Sequence, residues 1–149
     1  LDTLGLITKL MGVFTADSTF LAWCTDNLGR HPTLYIGLDD VNPPGREDYP
    51  VIGITEVTTD NESVRGQSEF VVEMGFGVAD EGIAENTALK TKTYNGFILA
   101  ESFRVAALAA LFRAALGRMS VEGSGQVQYH PLYVSGMKLN ISTINTGRN

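Results

Sequence analysis

Residues 96–117 read GFILAESFRVAALAALFRAALG. This is a stretch of about 30 Å if helical, bounded by Gly96 and Gly117. It holds no proline and no interior glycine, and its seven alanines give it high helix propensity. Glu101, Arg104 and Arg113 are its only charges. At about 100° per residue, Phe97, Ile98, Val105, Leu108, Phe112 and Leu116 share one sector. Ala100, Ala106, Ala107, Ala110 and Ala114 fill much of the opposite one. A helix apolar on both sides is expected to be buried on both sides. A small domain rarely supplies two covering layers, so the expected second cover is another copy of the chain. The subunit interface expected from this reading comprises Glu101, Arg104, Ala107, Ala110 and Ala114.

Outward from this helix, the pattern is of strands on both sides. Upstream, Gln67–Ala79 alternates: Phe70, Val72, Met74, Phe76 and Val78 on one face, and Glu69, Val71, Glu73, Gly75 and Gly77 on the other. This is period two over a long strand. Glycine inside a strand, as at Gly75 and Gly77, marks a bulge or the close approach of another backbone. Val51–Val57 and Thr33–Leu38 read as two further strands. They are separated by Asp39–Pro50, a loop with three prolines, one glycine and five charges. A polar turn runs through Thr59, Asp60, Asn61 and Glu62. A polar stretch through Asp80, Glu81, Glu85, Lys90 and Lys92 leads into the helix. Downstream, a Gly-Ser loop (Glu122–Gly125) precedes two strands, Gln126–Val134 and Met137–Ile144, with the hairpin turn expected at Ser135-Gly136.

At the N-terminus, Asp2 or Thr3 caps a helix carrying Leu4, Ile7, Met11 and Phe14. Asp17 or Ser18 caps a second helical segment with Phe20, Leu21, Trp23 and Cys24, ending near Leu28-Gly29. The expected fold is α+β: a mostly antiparallel sheet packed against a long apolar helix, plus an N-terminal helical segment. The expectation is one domain over residues 1–149, with Asn145–Asn149 as a frayed tail.

Composition narrows function. The chain has 149 residues, 44% hydrophobic and 19% charged, with a net charge of −6. That balance fits a globule and lacks the basic surplus of a dedicated nucleic-acid binder. One cysteine excludes an intramolecular disulfide framework and a cysteine zinc site, and suits a reducing compartment. No secretory leader pattern is read at the N-terminus. Three charges inside 96–117, each costing roughly 2.5–3.5 kcal/mol at a bilayer centre, argue against a membrane span.

Chemistry-bearing residues do not assemble into a motif. His31 and His130 each precede a proline and lie far apart, without metal-ligand spacing. Cys24 sits among apolar neighbours, where a thiol behaves as a small hydrophobe. Asp39, Asp40, Glu47 and Asp48 flank Pro43-Pro44-Gly45 without the alternation of a calcium loop. Glu69 and Glu73 share one side of the long strand and read as solvent-facing. There is no phosphate-binding glycine loop. The sequons at Asn61 and Asn140 carry no weight without a secretory signal. The expectation is therefore no catalytic residue, no cofactor and no metal. Glu101 and Arg104, three apart among large apolar groups, read as either a plain intrahelical pair or an intersubunit pair.

Taken in order, an N-terminal helical segment leads to Tyr49-Pro50-Val51-Ile52, then to the long strand Gly66–Val78. The apolar helix Phe97–Leu116 and a closing strand ending LNISTI follow. This order, over Asp17–Ile144, resembles the tail-terminator (tail-completion) proteins of long-tailed bacteriophages. The resemblance implies a structural, non-enzymatic virion protein, assembled in the host cytoplasm and resident in the neck. It implies a ring, typically a hexamer, that closes the tail tube and meets a head-proximal connector or neck protein. DNA passes through the hole without specific binding. On the same resemblance, Asp39–Tyr49 and Asp80–Thr93 are extensions suited to contacts with neighbouring ring or neck proteins. Two alternatives stay open: a connector or stopper of the same neck, or a small ligand-binding domain or enzyme. The latter has a pocket between sheet and helix lined by Phe70, Met74 and Phe76.

Overall fold

In a computed structural model, described over residues 1–60 and 67–144, the chain is α+β. Two N-terminal helices, α1 (Thr3–Ala16) and α2 (Ser18–Leu28), are each started by an aspartate. The Asp2 carboxylate accepts the Gly5 N–H at 2.7 Å, and the Asp17 carboxylate accepts that of Phe20 at 2.8 Å. Each satisfies one of the donors that a helix start leaves unpaired. Gly29 ends α2 at φ +83°, the left-handed conformation that glycine adopts without a Cβ clash.

The strands are β1 (Thr33–Ile36), β2 (Val51–Asp60), β3 (Gln67–Ala79), β4 (Ile83–Asn86), β5 (Thr91–Tyr94), β6 (Arg118–Tyr129) and β7 (Leu132–Ile144), with α3 (Asn95–Ala114) between β5 and β6. The main sheet has the order β1-β2-β3-β7-β6; β4 and β5 form a separate two-stranded hairpin. Three pairings in the main sheet are antiparallel, but β1 runs parallel to β2, so the sheet is mixed. The reason lies in the loop. Parallel neighbours need a crossover of a dozen or more residues, and 37–50 supplies one, carrying a single 3-10 turn at Arg46–Asp48.

The long strand is where the alternation puts it. Phe70, Val72, Met74, Phe76 and Val78 are all buried, opposite Ile141, Leu139, Met137, Ser135 and Tyr133 of β7. The end of the chain corrects the expectation. The hairpin turns at His130-Pro131, not at Ser135-Gly136, and Glu122–Gly125 lies within β6 rather than in a loop. The alternation Tyr133, Ser135, Met137, Leu139, Ile141, Thr143 is buried throughout and outweighs the turn preference of Ser-Gly. Gly136 sits in register between Gly75 and Gly125. The polar stretch after Asp80 is also more ordered than expected, since it forms β4 and β5. Asn61 and Glu62 of the expected turn, Gly66, the sequon at Asn61 and the tail Asn145–Asn149 lie outside the described residues.

All three helices cover one face of the sheet. α3 packs on β3 and β7, flanked by α1 and α2. Phe103 is the centre: its ring lies 5.4 Å from Phe76, 6.2 Å from Phe20 and 6.0 Å from Trp23. Phe14 extends the cluster to Phe20 and Phe76. The expectation of a helix over 96–117 buried on both sides is not met within one chain. α3 ends at Ala114, and only one of its sides is buried.

Candidate functional site

The side of α3 that faces the sheet is the small one. Gly96, Ala100, Ala107 and Ala110 are buried there, with Phe103 and Leu111 filling the gaps between them. At its start the helix lies close to the sheet: a Cβ on Gly96 would sit 2.2 Å from the Tyr133 ring. Of the large sector, Leu108 and Leu116 are half-buried and pack against the core. Phe97, Ile98, Val105 and Phe112 are exposed, the last three with more than half of their surface open to solvent. Of the expected interface residues, Ala107 and Ala110 are fully enclosed in the chain's own core and Arg104 is buried there too. Ala114 is exposed. Sequence reading grouped bulky and small residues into two sectors and assigned Ala107, Ala110 and Ala114 to a subunit interface; the structure buries the first two in the chain's own core and packs Leu108 and Leu116 of the bulky sector against it. The signal that reverses the assignment is Gly96, which lines up with the alanines and demands close packing.

Glu101 and Arg104 lie at the border between the buried and exposed sides. Glu101 accepts hydrogen bonds from Arg104 (Nε 3.2 Å, and Nη2), from Ser135 Oγ at 2.7 Å and from Gln126 Nε2 at 3.3 Å. Arg104 Nη1 also reaches the Met137 sulfur at 3.9 Å. The pair thus has its partners in the same chain, tying α3 to β7 and β6. The Arg104 guanidinium above all, helped by Ser135 and Gln126, holds the Glu101 carboxyl at about 2, well below its ordinary 4.5. Of the two readings, the intrahelical pair is the one the single chain shows, and it is extended to Ser135 and Gln126.

Beside this border runs β6, the outer strand of the sheet. One of its edges pairs with β7; the other has no strand beside it among the described residues. Glu122, at a bulge between Val121 and Gly123, and Arg118 are its only charges. The run Gly123–Tyr129 has none. Long, uncharged open edges are templates for pairing with another chain. The exposed side of α3 and the open edge of β6 are thus two unpartnered features among the described residues.

Elsewhere, candidate groups are absorbed by the fold. Cys24 is fully buried, and burial pushes its thiol up to about 12. His31 is exposed, and His130 Nδ1 lies 2.6 Å from the Tyr133 hydroxyl oxygen. Asp39 accepts the N–H groups of Val41 and Asn42, and Asp48 that of Gly45, so both carboxylates shape the loop. Glu73 pairs with Lys138 at 3.6 Å. Among the described residues, no three His, Cys, Asp or Glu side chains converge as metal ligands. None of the described helices is by itself long and apolar enough to cross a membrane. Phe70, Met74 and Phe76, the expected pocket lining, are packed into the core. Gly75 and Gly77 do mark close approach, by side chains rather than backbone: a Cβ on Gly77 would meet the Tyr49 ring at 2.7 Å, and one on Gly75 the Val134 side chain at 3.2 Å.

Sequence reading missed the ion pair of greatest span among the described residues. Arg113 at the end of α3 binds Asp17 with two hydrogen bonds, 2.8 and 3.1 Å, across 96 positions. Asp17 thereby caps α2 and anchors α3 at once, and the Arg113 bond, followed by the Phe20 N–H, lowers its carboxyl. Only the cap had a local signal. No protein-family model and no curated protein matches the chain.

Proposed function

We propose that this chain is a structural subunit that assembles with copies of itself into a ring, and that the ring is the tail terminator of a long-tailed bacteriophage, closing the tail tube and meeting the neck. The observation that carries the assembly reading is the outward side of α3. Phe97, Ile98, Val105 and Phe112 form an apolar row on a helix whose other side is already buried. A second copy supplies the cover that the chain itself does not. The placement in a phage neck rests on the order of elements described above. In this reading the protein performs no reaction and holds no cofactor; its partners are other copies, the tail-tube protein and a connector. A connector or stopper of the same neck uses the same surface logic.

The test is sedimentation of the protein and of a Val105→Ser/Phe112→Ser variant, alone and with tail-tube protein. The expected result is association of the parent chain and its loss in the variant, with the fold of both intact. Equal association of the two excludes this face. Monomers throughout exclude the assembly reading.

A further inference from the structure

Asn95-Gly96 is the only asparagine in the chain followed by glycine. A glycine in that position leaves its amide nitrogen unshielded by a side chain, so it is the best-placed nucleophile for the asparagine side-chain carbonyl. The pair also sits at a joint. Tyr94 ends β5 and Asn95 begins α3, so the ψ torsion of Asn95 sets the angle between the hairpin β4–β5 and the helix. The hairpin stands apart from the main sheet, and every residue from Glu81 to Thr93 is exposed. Asn95 is exposed as well, while Gly96 is buried against Tyr133.

Asp80 is what holds the joint. Its carboxylate accepts the Asn95 side-chain amide at 2.9 Å and the Gly82 N–H at 2.6 Å, and its own N–H donates to the Pro131 carbonyl at 2.9 Å. The Asn95 N–H donates to the Gly82 carbonyl at 2.9 Å, and the Tyr94 ring meets His130 edge-on at 5.2 Å. The helix start contributes less. Asp2 and Asp17 cap α1 and α2, but Tyr94 gives α3 no side-chain cap. The Gly96 N–H lies in the first turn, where a helix has no acceptor to offer it. With Asn95 helical, the Gly96 nitrogen is not aligned with the side-chain carbonyl; ψ has to leave its helical value first. That opening is local, a swing of the hairpin rather than unfolding of the core.

We propose that Asn95 is a self-modification site, gated by its bond to Asp80, whose conversion releases the hairpin. In the open joint the Gly96 nitrogen gives its proton to solvent and bonds to Asn95 Cγ. The Cγ–Nδ2 bond breaks, and ammonia leaves with a proton taken from solvent. Water then adds to one of the two carbonyls of the resulting imide and opens the ring, giving an aspartyl or an isoaspartyl linkage. No electrons are transferred, and water is the only co-reactant. In either product a carboxylate replaces the amide that donated to Asp80, so attraction becomes repulsion between like charges. In the aspartyl product the helix start favours the new charge, so α3 keeps its first turn while the hairpin loses its pin. The change is one-way: the hairpin is held in a new chain and freed in an aged one.

The test is peptide mapping by mass spectrometry of protein held at mildly alkaline pH, alongside an Asp80→Ala variant and the parent chain in urea. Asn95 should convert through the imide in all three, fastest in urea. The folded Asp80→Ala variant should convert about tenfold or more faster than the folded parent, the scale of one hydrogen bond to a charged group. Asn95→Asp stands for the aspartyl product. Trypsin should cut it at Lys90 and Lys92, both exposed, several-fold faster than the parent, with helix content by circular dichroism unchanged. A folded Asp80→Ala variant that converts no faster than the parent overturns the gate. An Asn95→Asp variant cut at the parent's rate overturns the release.

Discussion

Gly96 decides how close α3 lies to the sheet, and its replacement separates two opposing effects. Alanine is better than glycine in a helix by about 1 kcal/mol, so propensity alone favours Gly96→Ala. The added Cβ, however, would lie 2.2 Å from the Tyr133 ring, itself fully buried. Overpacking of this kind costs about 1–3 kcal/mol. The steric effect should win, and the melting temperature of Gly96→Ala should fall. A rise would mean that the helix sits further out. Glu101 has a comparable role in the polar part of the same contact. Its folded pKa is depressed from 4.5 to about 2, so its contribution is complete above about pH 4.5 and is lost as pH falls toward 2. Glu101→Gln should lower stability at neutral pH and flatten the acid limb of a stability–pH curve between those values. An unchanged acid limb would show that the carboxylate is not held by Arg104, Ser135 and Gln126. For Asp17, Asp17→Ala removes both a cap and the Arg113 anchor. It should cost more than Arg113→Ala, the difference approaching the worth of the cap, about 1 kcal/mol.

At the scale of elements, the prediction concerns the two sides of α3. Val105→Ser and Phe112→Ser change exposed side chains and should leave unfolding within about 0.5 kcal/mol of the parent. Leu111→Ser, one residue away but fully buried, should destabilise by several-fold more, since it leaves both a cavity and a buried hydroxyl. Chemical denaturation of the three variants reads this directly. What was legible in the sequence was local. Alternation places β3 at Gln67–Ala79, and Asp2, Asp17 and Gly29 bound the first two helices. What was not legible depends on partners far along the chain. Helix periodicity cannot say which sector faces inward until Gly96 meets Tyr133. The Ser135-Gly136 dipeptide carries a turn signal that pairing with β3 overrides. The parallel setting of β1 follows from a crossover whose path no local pattern encodes. At the candidate site, the mixture of charge and apolar bulk on α3 was readable; the partners of Glu101 on β6 and β7 were not.

For the whole molecule, net charge and assembly make linked predictions. In the proposed ring, chains each at −6 would repel DNA, itself a dense line of negative charge, so the proposal expects its channel to conduct rather than bind. The cations are spread: Arg46, Arg113 and Lys138 pair with acids of the same chain, and Arg104 is buried. Isolated protein should show no measurable DNA binding at physiological salt in an anisotropy titration. Salt-sensitive micromolar binding would favour a nucleic-acid-handling role. The central claim, that the outward side of α3 exists to be covered by another copy, is tested most directly by native mass spectrometry of the protein across a concentration series, with and without tail-tube protein. The account predicts a closed ring of defined stoichiometry, a hexamer, lost in the Val105→Ser/Phe112→Ser variant. A chain that remains monomeric at every concentration and in the presence of the tube protein would contradict it.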